Sequence, residues 1–369
     1  MKFSCEKALL LSAVTTASRT VSPKSTIPAL EGLLIEAGDT LRLTGYNLET
    51  GIRTVIPADV TQKGSLVLSA RLFGEIVRKL PDEIVFFSAD GLTVNVKCGQ
   101  SEFNIQGIDP EEFPELPVVD GMNSLVIGQD TLRQIIDQTL FAVSDNESRP
   151  VHTGSLFEVE GDKLTVVSVD GYRLALRREQ LAEKKGADAF SFVVPGSTLA
   201  EASRICAGGE ALITVIQGER HVMFDTGDTI LVSRRLEGEF LAWRNAIPKN
   251  STVVLEGDCK TLLASIERVS LIISDKLKSP LRCVFGDGEL AISTRTAIGD
   301  ASDRCGIDGN GGGLEIGFNN KYLMDALKAA PADRVRLEMS TGVAPCVIRP
   351  CQGEENFIYM VLPVRLKAN

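Results

Sequence analysis

Apolar residues along this chain fall into short runs and 3.6-residue stripes that keep one order and come round again. Leu66-Val67-Leu68 leads through Ser69 into Leu72, Phe73, Ile76, Val77 and Leu80, spaced as on one face of a helix, and Pro81 cannot extend it. Ser69 is suited to cap this helix, because its hydroxyl can accept from an otherwise unpaired first-turn amide. Strand-like stretches follow at 83–88, 92–96 and 102–105, with Asp90-Gly91 as a hairpin turn. The pattern predicts strand, helix and three strands.

The same order opens the chain, where Lys2-Phe3-Ser4 precedes a helical stripe of Leu9, Leu10, Ala13, Val14 and Ala17 and then strands at 32–37, 40–44 and 51–56. It restarts at Leu125, at Phe192, at Val253 and at Leu314, giving six units of about 60 residues. Proline and acid crowd 109–121, and a second linker covers 236–250, so the units pair into three domains, 1–121, 122–250 and 251–369. The expected class is α+β: each domain holds two β-α-β-β-β half-units whose helices pack together beneath antiparallel sheets. Domains joined in a row leave an unpaired strand at each end, and head-to-tail association of two chains would close both edges into a ring.

Composition changes little in this picture. With 44% hydrophobic and 24% charged residues and no apolar run long enough for a bilayer, the chain reads as soluble, and a start without a signal-peptide pattern places it in the cytoplasm. Eight cysteines are scattered without a Cys-x-x-Cys, and His152 and His221 are the only histidines, so the expected state is buried reduced thiols with no metal or other cofactor. The glycine-rich 306–313 is followed by no Gly-Lys-Ser/Thr and does not fit a calcium loop; it reads as a flexible linker. No catalytic constellation emerges, and a non-enzyme is expected.

Charge is unevenly spread. The net charge is −10, yet the six predicted helices together carry +3, leaving −13 for the rest. Helices facing one way would offer a mildly basic face on an acidic protein, suited to phosphate without gripping it.

Several short segments then fix a resemblance: Met1-Lys2-Phe3, Asp170-Gly171-Tyr172-Arg173-Leu174, Pro248-Lys249-Asn250, Ile316-Gly317-Phe318-Asn319 with Tyr322, and Tyr359-Met360-Val361-Leu362-Pro363-Val364-Arg365-Leu366. In this order on a triplicated chain they resemble the bacterial sliding clamp family, the beta subunit of DNA polymerase III. The resemblance implies a homodimeric ring around duplex DNA, a processivity factor without catalysis. It implies peptide-borne partners: the replicative polymerase, clamp loader, repair polymerases, ligase and mismatch-repair proteins. Their pocket would comprise Gly171, Tyr172, Arg173, Leu174, Leu241, Ala246, Leu277, Asn319, Tyr322, Val343, Val361, Leu362, Pro363, Val364 and Arg365. DNA contacts would be Lys24, Arg71, Arg78, Arg149, Arg204 and Lys278, and ring closure would set Ile76, Leu80 and Phe103 against Leu271 and Ile272 of the other chain. His152, Val169, Tyr172, Leu241, Leu277 and Pro345 depart from the residues usual in enterobacterial clamps, which leaves peptide preference open. The alternative is a repeat scaffold for protein partners that binds no DNA.

Overall fold

A computed structural model describes residues 1–274, 279–353 and 355–366. The first repeat runs β1 (Lys2–Glu6), α1 (Lys7–Ala17), β2 (Gly32–Ala37), β3 (Leu41–Tyr46) and β4 (Thr50–Ile56). The second runs β5 (Asp59–Gln62), β6 (Gly64–Ser69), α2 (Ala70–Lys79), β7 (Ile84–Asp90), β8 (Thr93–Cys98) and β9 (Ser101–Gln106). The Ser69 hydroxyl accepts from the Leu72 amide at 3.4 Å, and the helix ends before Pro81. Phe73, Ile76 and Val77 form its buried face, but Leu72 is 47% exposed, because it lies one residue outside the stripe they define.

The leading strands are exchanged within the first domain. β1 pairs with β7 in a five-stranded sheet, β5-β1-β7-β8-β9, while β6 pairs with β2. Phe73 meets Phe87 edge-to-face at 6.2 Å, and Phe87 stacks on Phe3 at 4.6 Å, joining α2 to the core of this sheet.

The pattern continues with β10 (Asn123–Gly128), α3 (Gln129–Thr139), β11 (Gly154–Glu160), β12 (Lys163–Val169) and β13 (Arg173–Gln180). Next come β14 (Glu183–Lys185), β15 (Ala189–Pro195), α4 (Gly196–Ile205), β16 (Leu212–Gln217), β17 (His221–Asp225), β18 (Thr229–Arg234) and the short α5 (Trp243–Ala246). The last third holds β19 (Val253–Asp258), α6 (Cys259–Ser270), β20 (Leu281–Thr296), β21 (Gly299–Phe318), α7 (Asn320–Ala329), β22 (Arg334–Met339), β23 (Cys346–Pro350) and β24 (Phe357–Val361).

Sheets cross the sequence repeats. β18 pairs with β4 from Thr229↔Thr54 to Ser233↔Thr50, completing a nine-stranded sheet, and β13 pairs with β24 from Arg173↔Val361 to Arg177↔Phe357 within a ten-stranded one. The chain accordingly divides into two compact units, Met1–Arg133 with Leu181–Ala187 and Ser197–Arg235, and Gln134–Gln180 with Asp188–Gly196 and Leu236–Asn369. The expected second domain, 122–250, is divided between them.

Two stretches read from sequence as linkers are built in. Phe113 and Leu116 are buried beside Leu30, Tyr46 and Val67. The glycine-rich 306–313 is strand, not free linker: it lies within β21, where Gly309 and Gly312 take φ of 110° and 61°, and a Cβ on Gly311 would fall 2.4 Å from the Phe285 carbonyl. All eight cysteines are free and seven are buried, with burial pushing the Cys259 thiol up to about 11.

Candidate functional site

The second unit concentrates aromatic, charged and tail residues around one turn. Between β12 and β13, the Asp170 carboxylate accepts from the Tyr172 amide at 2.8 Å and the Arg173 amide at 3.0 Å, while Gly171 adopts φ 91°. This Asx turn leaves Tyr172 63% exposed and turns Arg173 inward to 9% exposure. Arg173 donates from Nε to Asp170 Oδ2 at 2.8 Å and from Nη1 to Asp325 Oδ2 at 2.6 Å. A buried guanidinium needs such partners.

Rings close over that ion-paired centre. The Arg173 guanidinium lies 4.4 Å from the Tyr322 ring centroid and 5.4 Å from that of Phe141, and Tyr172 stacks on Tyr322 with centroids 6.2 Å apart and planes 24° from parallel. Tyr322 is set at the start of α7 by Asn319, whose side-chain oxygen accepts from the Lys321 and Tyr322 amides. Burial, then the Asp170 carboxylate, raises the Tyr322 phenol above its ordinary pKa.

The chain's last described residues run along this group. The Leu362 amide donates to the Tyr172 carbonyl at 2.8 Å, and the Val364 amide donates to the Gly317 carbonyl at 2.7 Å. One cleft of about 810 Å³ lies against the tail, lined by Arg282, Glu315, Gly342, Val343 and Pro363 through Leu366. Val343 is 82% exposed there. A second cleft, about 510 Å³, is lined by Arg149 to His152 and Glu237 to Ala242, and His152 meets Phe240 edge-to-face at 5.6 Å. Val151 and Phe240, which line this cleft, pack with Ala246 against an apolar cluster that includes Val169, Leu174, Leu176, Trp243 and Met360. Concave walls with a few fixed polar groups have the form of a binding site for a short peptide side chain or a small ligand.

Tyr172, Asn319, Tyr322, Val343 and the tail from Leu362 to Arg365 thus connect through direct contacts or a shared cleft, while Leu241 lines the second cleft and Ala246 packs on the apolar cluster. Leu174 and Val361 are each 1% exposed: they are ladder residues of β13 and β24 and line no open surface. Arg173 is likewise enclosed by its carboxylates. Leu277 lies outside the described residues, as does Lys278. Asp170, Asp325, Phe141 and Phe240 were missed from sequence. Asp170 was signalled by Asp-Gly before an aromatic, but the long-range partner of Asp325 carries no local sign.

Of the cationic candidates, Lys24, Arg71, Arg78, Arg149 and Arg204 are all exposed. Arg71 pairs with Glu75 at 3.4 Å, an exposed intrahelical pair of little strength, and Arg204 pairs with the half-buried Glu201. Ile76 and Leu80 are 6% and 4% exposed and belong to the core of the first domain, so they offer little area to another chain. Phe103 is half-buried on β9, the end strand of its sheet, Ile272 is half-buried, and Leu271 is 84% exposed. Among the described residues no helix is long and apolar enough to cross a membrane.

Sequence comparison matches three profiles of the DNA polymerase III beta subunit: its N-terminal domain over residues 1–117, its central domain over 126–241 and its C-terminal domain over 244–365. The beta sliding clamp of Halalkalibacterium halodurans is 33% identical across 99% of this chain and 100% of its own. Among solved structures, the DNA polymerase sliding clamp of Bacillus subtilis superposes with a TM-score of 0.93 at 31% identity, covering 100% of both chains. The Pseudomonas aeruginosa sliding clamp bound to griselimycin superposes at 0.94 with 27% identity over 99% of this chain and 100% of that one.

Proposed function

The chain belongs to the DNA polymerase III beta subunit family and is a DNA sliding clamp, and from this premise we propose that it works as a non-catalytic homodimeric ring. The reading as a scaffold that binds no DNA gives way to this family membership. A clamp holds its polymerase near the template by topology, so its contacts to phosphate have to be few and indifferent to base. The helix charge of +3 on a chain of −10 supports that economy. Lys24, Arg71, Arg78, Arg149 and Arg204 are the proposed phosphate contacts, and Leu271, Ile272 and Phe103 the proposed joint between chains.

Partners would dock as short peptides on the surface formed by Gly171, Tyr172, Asn319, Tyr322, Val343, Leu241, Ala246 and Leu362 to Arg365. The observation that carries this reading is the exposed Tyr172 ring stacked on Tyr322 beside the pinned tail that lines the first cleft, a preformed wall. Leucine or phenylalanine of a peptide fits such walls. The replicative polymerase, clamp loader, repair polymerases, ligase and mismatch-repair proteins are the proposed cytoplasmic partners.

The test is retention on nicked circular DNA after loading by a clamp loader and ATP. Protein that stays on circles and runs off once they are linearised acts as a ring. Equal loss from both forms sinks the proposal.

A further inference from the structure

We propose that Asp325 is a positioning residue for peptide capture, acting through Arg173 on the Tyr172–Tyr322 wall; this rests on the peptide-site reading above. Asp325 lies one helical turn after Tyr322 in α7 and holds Arg173 Nη1 at 2.6 Å, while Asp170 holds Nε of the same guanidinium. Those two bonds fix the cation 4.4 Å from the Tyr322 ring, whose neighbour Tyr172 stands 63% exposed. Arg173 is too enclosed to be the group a peptide meets. Its two carboxylates instead set the plane of the ring that is met. Without Asp325 the guanidinium keeps a single anchor and swings toward Asp170, and Tyr322 loses the cation that orients it. The wall then has to be ordered by the peptide, at a cost in affinity.

The experiment measures anisotropy of a fluorescein-labelled heptapeptide carrying Leu-Phe on the full chain, together with ¹⁹F spectra of fluorotyrosine-labelled protein. The chain has four tyrosines, and Tyr172→Phe and Tyr322→Phe assign the two signals of the wall. Asp325→Ala is expected to weaken the peptide about tenfold and shift the Tyr172 and Tyr322 signals. Asp325→Glu is expected to restore both. A general loss of packing would lower the melting temperature without rescue by glutamate. Unchanged affinity in Asp325→Ala, or weakened affinity with both ring signals at their wild-type positions, overturns the assignment while leaving the peptide site standing. A wild-type chain that does not bind the peptide overturns the site reading, and this assignment with it.

Discussion

The Gly317 carbonyl accepts from the Val364 amide at 2.7 Å, and a Cβ on Gly317 would stand 2.4 Å from the Val364 carbonyl oxygen and 2.8 Å from Leu366. The tail is therefore seated on β21 by the absence of a side chain. Gly317→Ala has to lift the segment from Pro363 to Leu366, at a cost of about 1–3 kcal/mol in stability. Because that segment lines the larger cleft, affinity for a docked peptide should fall as well. Denaturant titration and peptide anisotropy on one preparation read both effects. Unaltered binding would detach the tail from the site.

Burial separates two kinds of residue among those that the resemblance sets at the joint between chains. Ile76 is packed in the first domain's core, so Ile76→Ala should destabilise the folded protomer by about 2–5 kcal/mol. Leu271, at 84% exposure, has little to lose within the protomer. Leu271→Asp should leave the unfolding midpoint of a dissociated chain unchanged yet shift the monomer–dimer equilibrium toward monomer in analytical ultracentrifugation. A dimer as tight as wild type would remove Leu271 from the joint.

Arg71 and Arg78 lie two turns apart on α2, both exposed, and the Arg71 pair with Glu75 is too solvated to hold it from a phosphate. Replacing either with alanine should weaken DNA binding alike on all sequences and reduce the salt slope of binding by about 0.9 for each phosphate left without its cation. The melting temperature should stay where it is. Binding measured from low to moderate salt on two unrelated duplexes checks both the slope and the indifference to sequence.

What could be read from the sequence was the local grammar. Ser69 as a cap, Phe73, Ile76 and Val77 as an inward stripe, and the turn at Asp90-Gly91 each follow from period and residue type, and the order recurs along the chain until β20 and β21 run the fifth unit into the sixth. Pairings between repeats were not readable. Nothing in Thr229 to Ser233 names Thr50 to Thr54 as its neighbour, since the side-chain period along a strand says which face is buried and not which strand lies alongside. For the same reason Leu174 and Val361, apolar and beside the site in sequence, read as walls although the β13–β24 ladder buries them. Glycines at 306–313 suggested freedom, but here they let two backbones approach.

Asp258 offers a titration that tests the N-terminal end of α6. Its carboxylate accepts from the Thr261 hydroxyl at 2.7 Å and the Thr261 amide at 2.8 Å, and these bonds, the side-chain one first, hold its pKa below the ordinary carboxylate value. The folded-state pKa is depressed, so the cap contributes its full stability above the unfolded value and loses it as pH falls through the folded one. Asp258→Ala should cost about 1 kcal/mol at neutral pH. It should cost progressively less under acid, where the wild-type cap is protonated. Asp258→Asn keeps an acceptor for the Thr261 amide without a titrating charge, so its stability should stay closer to wild type at neutral pH and vary less as pH falls below the ordinary aspartate value. Urea denaturation of the three chains at several pH values gives the comparison. An alanine penalty that is the same at neutral pH and under acid would mean that the carboxylate charge adds nothing to the cap.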